Sequence, residues 1–228
     1  MKSMRSTSVL IPAYNEAERI AATLVGVRSL PVSEVIVVDD GSHDATASVA
    51  LSYGARVITL PQNVGKGGAI QHALTEVRGE ILLLLDADLG NSARHALALL
   101  TPLYSGQTDM TVAAFAKRQR PGGGIGLTVG LARWSISLIT GQSLSAPLSG
   151  QRALRSDDLR RLLPLPRDFG FEVGLTIKAL KMGLSITEIP LPLEHRVTGR
   201  SLRDILHRGR QFCQICRVII RSQQFASH

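Results

Sequence analysis

The 228-residue chain is long enough for one large α/β core, and 44 % hydrophobic with 19 % charged residues is an ordinary globular composition that excludes disordered or fibrous classes. Its apolar runs, such as residues 81–85, are far too short to cross a bilayer, and the N-terminal stretch lacks a signal-peptide apolar segment, so a cytoplasmic location is the expectation. A net charge of +8 favours anionic partners, phosphates above all, but no aromatics interleave with the basic clusters, so no nucleic acid is expected.

Strands and helices alternate along the first half. Residues 8–11 form an apolar strand ending at Pro12, and Asn15 is placed to cap a helix over 16–28, with Glu16 and Glu18 in its first turn. A second strand, 35–38, ends in Asp39-Asp40-Gly41-Ser42, and a helix opens at Asp44 and ends at Gly54. Residues 56–60 form a third strand, 67–77 a helix, and 80–85 a fourth strand that is apolar on both faces. Continuous apolar strands separated by helices predict a mostly parallel, Rossmann-like α/β sheet with helices on both faces.

The second half is less regular. A strand is predicted over 110–115, then a basic, glycine-rich segment (117–126), a helix over 127–139, a loop through Gly150 and a short strand near 151–154. A helix over 171–182 and a strand over 184–189, stopped by Pro190 and Pro192, precede a final amphipathic helix over 201–220. Cys213 and Cys216 fall inside that helical pattern with no strand before them, so they read as small apolar residues rather than a redox pair.

In open parallel sheets, ligands sit beyond the carboxyl ends of the strands. The polar exceptions of this sequence cluster there: Pro12 to Glu16, Asp39 to Ser42, Asn63 to Gly68, and Asp86-Ala87-Asp88. Together they offer an acceptor for a base edge, a phosphate-binding cation and a pair of metal-binding carboxylates. The segment around Lys66 is not a P-loop, since neither Ser nor Thr follows the lysine.

The motifs PAYNE, VVDDGS, NVGKGGAI and LLLLDADLG, in that order, resemble the family 2 glycosyltransferases of the GT-A fold, in particular dolichyl-phosphate sugar synthases and glucosyl-3-phosphoglycerate synthases. The resemblance is dense over the first hundred residues and looser around Pro147–Gln151, Gly170–Gly174 and His195. It implies one GT-A domain over 1–228, with a nucleotide-sugar half (1–115) and an acceptor half (116–228). It also implies transfer of a hexose from a UDP- or GDP-sugar to an anionic acceptor, either a polyprenyl phosphate or a small phosphorylated or carboxylated molecule such as a phosphoglycerate.

By the same resemblance, Pro12, Ala13, Tyr14, Glu16 and Asp40, with Asp39 beside them, hold the base and ribose, and Lys66 contacts the diphosphate. Asp88 holds Mg²⁺ or Mn²⁺, with His195 as a second candidate ligand, and Asp86 bonds the ribose or a metal-bound water. Glu172 contacts sugar or acceptor hydroxyls, although capping its helix is a comparable role for it. The family's acidic base is missing from Pro147-Leu148-Ser149-Gly150-Gln151-Arg152, which favours either an acceptor that is already anionic and needs none or a front-face, retaining reaction, and the sequence does not separate the two. Arg196, Arg200 and Arg208 are the candidate acceptor-phosphate ligands. A second copy of the chain, and the inner face of the cell membrane met through the basic final helix, stay open as partners. A sugar-phosphate nucleotidyltransferase and a basic nucleic-acid-binding module are the competing readings.

Overall fold

The computed structural model describes residues 5–115, 125–167 and 170–192. His195, Arg196, Arg200, Arg208, the stretch 201–220 for which a helix is expected, with its two cysteines, and most of the basic segment at 117–126 lie outside the described residues.

The elements run β1 (Thr7–Ala13), α1 (Ile20–Val27), β2 (Glu34–Asp39), α2 (Thr46–Ser52), β3 (Arg56–Thr59), α3 (Lys66–Ala73), β4 (Ile81–Leu84), α4 (Leu97–Ser105), β5 (Met110–Phe115), α5 (Ile125–Thr140), β6 (Arg152–Arg155), α6 (Ser156–Arg161), α7 (Phe171–Lys181) and β7 (Ile186–Leu191). Short 3₁₀ turns extend α3 and precede α4. Among the described residues the strands form one sheet in the order β3-β2-β1-β4-β6-β5-β7. Strands β1 to β4 pair in parallel, β6 runs antiparallel to both its neighbours, and β5 and β7 pair in parallel.

Alternate residues of each strand feed two buried layers, as the period of two requires. Leu10, Ile36, Val38, Leu82 and Leu84 pack with Ile70 of α3, Ile136 of α5 and Leu175 of α7. Val9, Ile11, Val37, Ile81 and Leu83 pack with Ile20 and Leu24 of α1 and Leu99 of α4. A mostly parallel sheet covered on both faces is therefore what the apolar runs predicted.

Three local expectations are corrected. Asn15 does not cap α1: it adopts a left-handed backbone (φ 55°), and its side-chain oxygen accepts the His43 N–H at 2.9 Å instead. A turn from Glu16 precedes the helix, with the Arg19 and Ile20 N–H groups both donating to the Glu16 carbonyl. Pro190 does not stop the last strand but lies within it, opposite Ala114. Strand β7 is at the sheet edge, where a missing N–H removes no ladder bond. Strand β4 ends at Leu84, so Asp86 and Asp88 lie on the turn beyond it and the alternation of an extended strand does not govern them.

Candidate active site

The parallel strands deliver four loops to one rim, and hydrogen bonds lock the loops to one another. The Asp40 N–H donates to the Ala13 carbonyl at 2.8 Å, tying the end of β2 to β1. The Asn15 N–H donates to the Ser42 hydroxyl (2.9 Å) and the Glu16 N–H to the Thr46 hydroxyl (2.8 Å). Asp44 accepts the Thr46 and Ala17 N–H groups, and these bonds with that of the Thr46 hydroxyl outweigh its desolvation and hold its carboxyl below the usual range. Tyr14 stands half-exposed on this rim with its ring edge-on to His43, centroids 6.4 Å apart. Glu16 pairs with Arg19 at 3.1 Å.

Asp39 and Asp40 are both buried. Asp39 accepts the Ser42 N–H at 3.1 Å, which shapes the turn after β2. Asp40 accepts the Val64 N–H at 2.8 Å and the Gly65 N–H at 3.0 Å, so its carboxylate anchors the loop that leads into Lys66. Gly65 sits at φ 83°, a conformation that glycine adopts without steric cost. At Gly67 a side-chain carbon would lie 2.9 Å from both the Arg167 carbonyl oxygen and the Phe171 ring and would collide with the Pro166 carbonyl. That close approach brings the start of α3 against the start of α7, and so brings Lys66 to Glu172.

The centre of the site is Lys66. Its ammonium lies 2.6 Å from Asp86 Oδ1 and 2.9 Å from Glu172 Oε1. Burial works against its charge, but the two carboxylates outweigh that penalty and raise its pKa above the ordinary lysine value. The other Asp86 oxygen accepts the Gln151 amide at 2.5 Å, and Gln151 accepts the Ser149 hydroxyl at 3.1 Å. Gln151 reaches Asp86 because β6 is antiparallel to β4. Leu84 faces Arg152, so the residues just before β6 stand at the same rim as those just after β4.

Beyond Ala87 the turn is held from below, where the buried Thr23 hydroxyl donates to the Ala87 carbonyl at 2.7 Å and accepts the Gly90 N–H at 2.9 Å. Asp88 is half-buried at this turn and close enough to Arg19 to help raise its pKa, after the larger effect of Glu16.

The structure thus brings Lys66, Asp86 and Glu172 into contact, and places Pro12, Ala13 and Asp39 at the strand ends and Tyr14, Glu16, Asp40 and Asp88 on the loops of the same rim. Sequence reasoning missed Gly150, Gln151 and Arg152 as site residues, having noted only the absence of an acid there. One signal was available: Arg152 shares a strand face with Leu154, a position that should be apolar.

Acidic strand ends around a lysine, on a parallel sheet interrupted by one antiparallel strand, define a nucleotide-binding fold of the GT-A type. The model of the family described as Glycosyl transferase family 2 matches residues 8–149. Glycosyltransferase AglJ of Haloferax volcanii is 30 % identical over 203 residues, covering 87 % of this chain and 66 % of that protein, so the chain spans just under two thirds of that relative. The human dolichyl-phosphate beta-glucosyltransferase is 41 % identical over 101 residues, 37 % of this chain and 31 % of that protein. Among solved structures, glucosyl-3-phosphoglycerate synthase from Mycobacterium tuberculosis, in complex with Mn²⁺, UDP-glucose and phosphoglyceric acid, superposes with a TM-score of 0.78 at 28 % identity, covering 94 % of this chain and 80 % of that one. The chain belongs to glycosyl transferase family 2. Membership in a glycosyltransferase family sets aside the nucleotidyltransferase and nucleic-acid-binding alternatives.

Proposed function

We propose that the chain transfers a hexose from a nucleotide diphosphate sugar to an anionic acceptor, with UDP-glucose and a phosphoglycerate-like molecule as the first pair to test. The observation that carries this is the Lys66 ammonium held between Asp86 and Glu172 at the rim of the sheet. A cation fixed there by two carboxylates is preorganised for a diphosphate, whose negative charge grows as the sugar departs.

Tyr14 and Glu16, with the loop anchored by Asp39 and Asp40, form the base and ribose side. Asp40 acts chiefly by holding residues 64 and 65, since both of its oxygens accept backbone N–H groups there. Asp86, already bonded through both oxygens, orients Lys66 and borders the ribose. Glu172, on the first turn of α7, faces the sugar or acceptor hydroxyls.

The donor set fits a hard divalent cation. Asp88 supplies a half-buried carboxylate at the turn beside Asp86, and phosphate and water oxygens complete the ligands that Mg²⁺ or Mn²⁺ prefers. His195, if it reaches the site, adds an imidazole that Mn²⁺ accepts as well as oxygen. When bound, the ion supplies Lewis-acid stabilisation of the leaving diphosphate. No acid on residues 147–152 is available as a general base, which suits an acceptor that arrives already ionised.

One observation supports a phosphoglycerate over a polyprenyl phosphate. In sequence, likeness to glucosyl-3-phosphoglycerate synthases extends over 80 to 92 % of this chain, whereas likeness to the dolichyl-phosphate enzyme covers 37 %. Peripheral membrane contact through the basic stretch 196–221, and a dimer, belong to the same proposal.

A thermal-shift panel of UDP- and GDP-sugars, each with and without Mn²⁺, tests the donor. The expected result is stabilisation that needs both nucleotide sugar and metal and is largest for UDP-glucose. Transfer of labelled glucose to 3-phosphoglycerate or to polyprenyl phosphate in vesicles then tests the acceptor. No response to any nucleotide sugar would sink the donor assignment, and label found only in lipid would replace the acceptor.

A further inference from the structure

Arg152 has no place in the chemistry above, yet it is a fully buried cation beside the site. Its guanidinium donates to the Ser149 carbonyl (2.8 Å), the Pro147 carbonyl (2.9 Å) and the Thr176 hydroxyl (2.7 Å). Thr176 donates in turn to the Glu172 carbonyl at 2.8 Å. All three partners of the guanidinium are neutral, and no salt bridge joins Arg152 to a described carboxylate. Burial accordingly pulls its pKa down to about 10, against the more distant attraction of Glu172, Glu188 and Asp86, and it stays charged at neutral pH. A buried charge without an ion pair is costly to fold around, and an apolar residue there would pack with Leu154 at less cost.

What Arg152 obtains is the shape of one loop. Residues 145–151 are gripped at both ends. On the outer side, the Ser145 and Ala146 N–H groups each donate to the Glu188 carboxylate at 2.7 Å, and Arg133 of α5 donates to the Ser145 carbonyl. On the inner side, the Arg152 fork holds the carbonyls of Pro147 and Ser149. Between these grips the loop leans on the active site so closely that a side-chain carbon on Gly150 would lie 2.7 Å from both Asp86 oxygens and would collide with the Lys66 ammonium. The same guanidinium bonds α7 through Thr176, one helical turn after Glu172.

We infer that Arg152 is a positioning residue, whose planar fork sets the Gly150–Gln151 backbone against Lys66 and Asp86 and registers that loop with Glu172. This inference rests on the transferase reading of the site. It requires fork geometry as well as charge, because a lysine ammonium cannot reach two carbonyls and a hydroxyl along three fixed directions. Misplacing a reacting geometry by about 1 Å can cost about 100-fold in rate.

The test is the full-length Arg152→Lys variant, compared with Thr176→Val, which removes a single bond of the fork. Each is assayed for transfer from UDP-glucose to 3-phosphoglycerate with Mn²⁺, and for thermal stabilisation by UDP with Mn²⁺. The expected result is a fall in kcat of about 30- to 100-fold for Arg152→Lys. Thr176→Val should fall between it and the unmodified chain, with KM for UDP-glucose and the response to UDP nearly unchanged in both. A folded Arg152→Lys protein with unaltered kcat would overturn the inference. So would a fall in kcat that tracks a fall in the melting temperature of the ligand-free protein in both variants, which is the mark of general destabilisation. If Arg152→Lys fails to fold, Thr176→Val decides alone: unaltered kcat in that variant overturns the inference. The unmodified chain separates the two levels, because its failure to transfer from any sugar nucleotide sinks the proposed function itself.

Discussion

The two sides of the sheet build their shares of the site differently. On the β3-β2-β1-β4 side the site residues lie at the ends of parallel strands or in the segments that follow them, and these segments are tied by contacts between neighbouring strand ends, such as Asp40 with Ala13, Val64 and Gly65. On the β6-β5-β7 side the residues that meet the site come just before an antiparallel strand, and their placement depends on a buried arginine, on Glu188 of the edge strand and on α7. The first arrangement repeats a local strand-loop unit. The second is assembled from distant pieces.

Four substitutions sharpen or break that contrast. The largest effect is expected for Lys66→Met, which removes the cation shared by Asp86 and Glu172 and joins the two sides of the site. A loss in kcat/KM of about 10³-fold, from initial rates with the donor varied, is expected. A loss under about tenfold would mean that the diphosphate is held elsewhere.

Asp88→Asn comes next, acting on the parallel side alone. Its expected signature is about a 100-fold rise in the Mn²⁺ concentration needed for half-maximal rate. An unchanged metal titration removes Asp88 from the metal site.

Gly150→Ala probes the antiparallel side, where the added carbon meets Asp86 and Lys66. A loss in kcat of about 10- to 100-fold is expected, with the melting temperature nearly unchanged, because the strain falls on the site rather than on the core. Equal losses in rate and in melting temperature would show that the loop is part of the core and not a wall of the site.

The smallest effect belongs to Asp109, at the start of β5, which accepts the Ser185 N–H at 3.0 Å and hydroxyl at 2.7 Å. Those bonds hold its carboxyl below the ordinary value of 3.8. A carboxyl with a lowered folded-state pKa contributes stability that is present above 3.8 and lost as pH falls through the folded value. In thermal melts, Asp109→Asn should therefore be less stable than the unmodified chain at neutral pH, and the difference should close under acid. Activity should not change. A difference that persists at low pH would assign the effect to packing.

Much of this molecule was legible before any coordinates. The apolar runs at Val9–Ile11, Val35–Val38 and Ile81–Leu85 specify buried parallel strands, because only a sheet covered on both faces hides side chains of both parities. The acidic and glycine-rich interruptions after them then fall on one rim by the geometry of parallel strands alone. Their order in the chain was enough to resemble one family, and the family match bears that out. Local details fared less well: Asn15 turned from a helix cap into a left-handed bridge to His43, because α2 and its loop offered the tertiary partner.

Sequence by itself determined the rim beyond β1 to β4, since each of its parts is a short stretch of chain whose position follows from the strand just before it. Tertiary structure alone decided the antiparallel insertion of β6 between β4 and β5, the meeting of Gln151 with Asp86, and the burial of Arg152 under its loop. The Gln151–Asp86 contact joins residues 65 positions apart through strand pairing, and no local pattern encodes which distant partner a strand will choose. The Asp86-Ala87-Asp88 turn was visible from the start. That Asp86 serves both the lysine and the glutamine emerged only when the strands were set side by side.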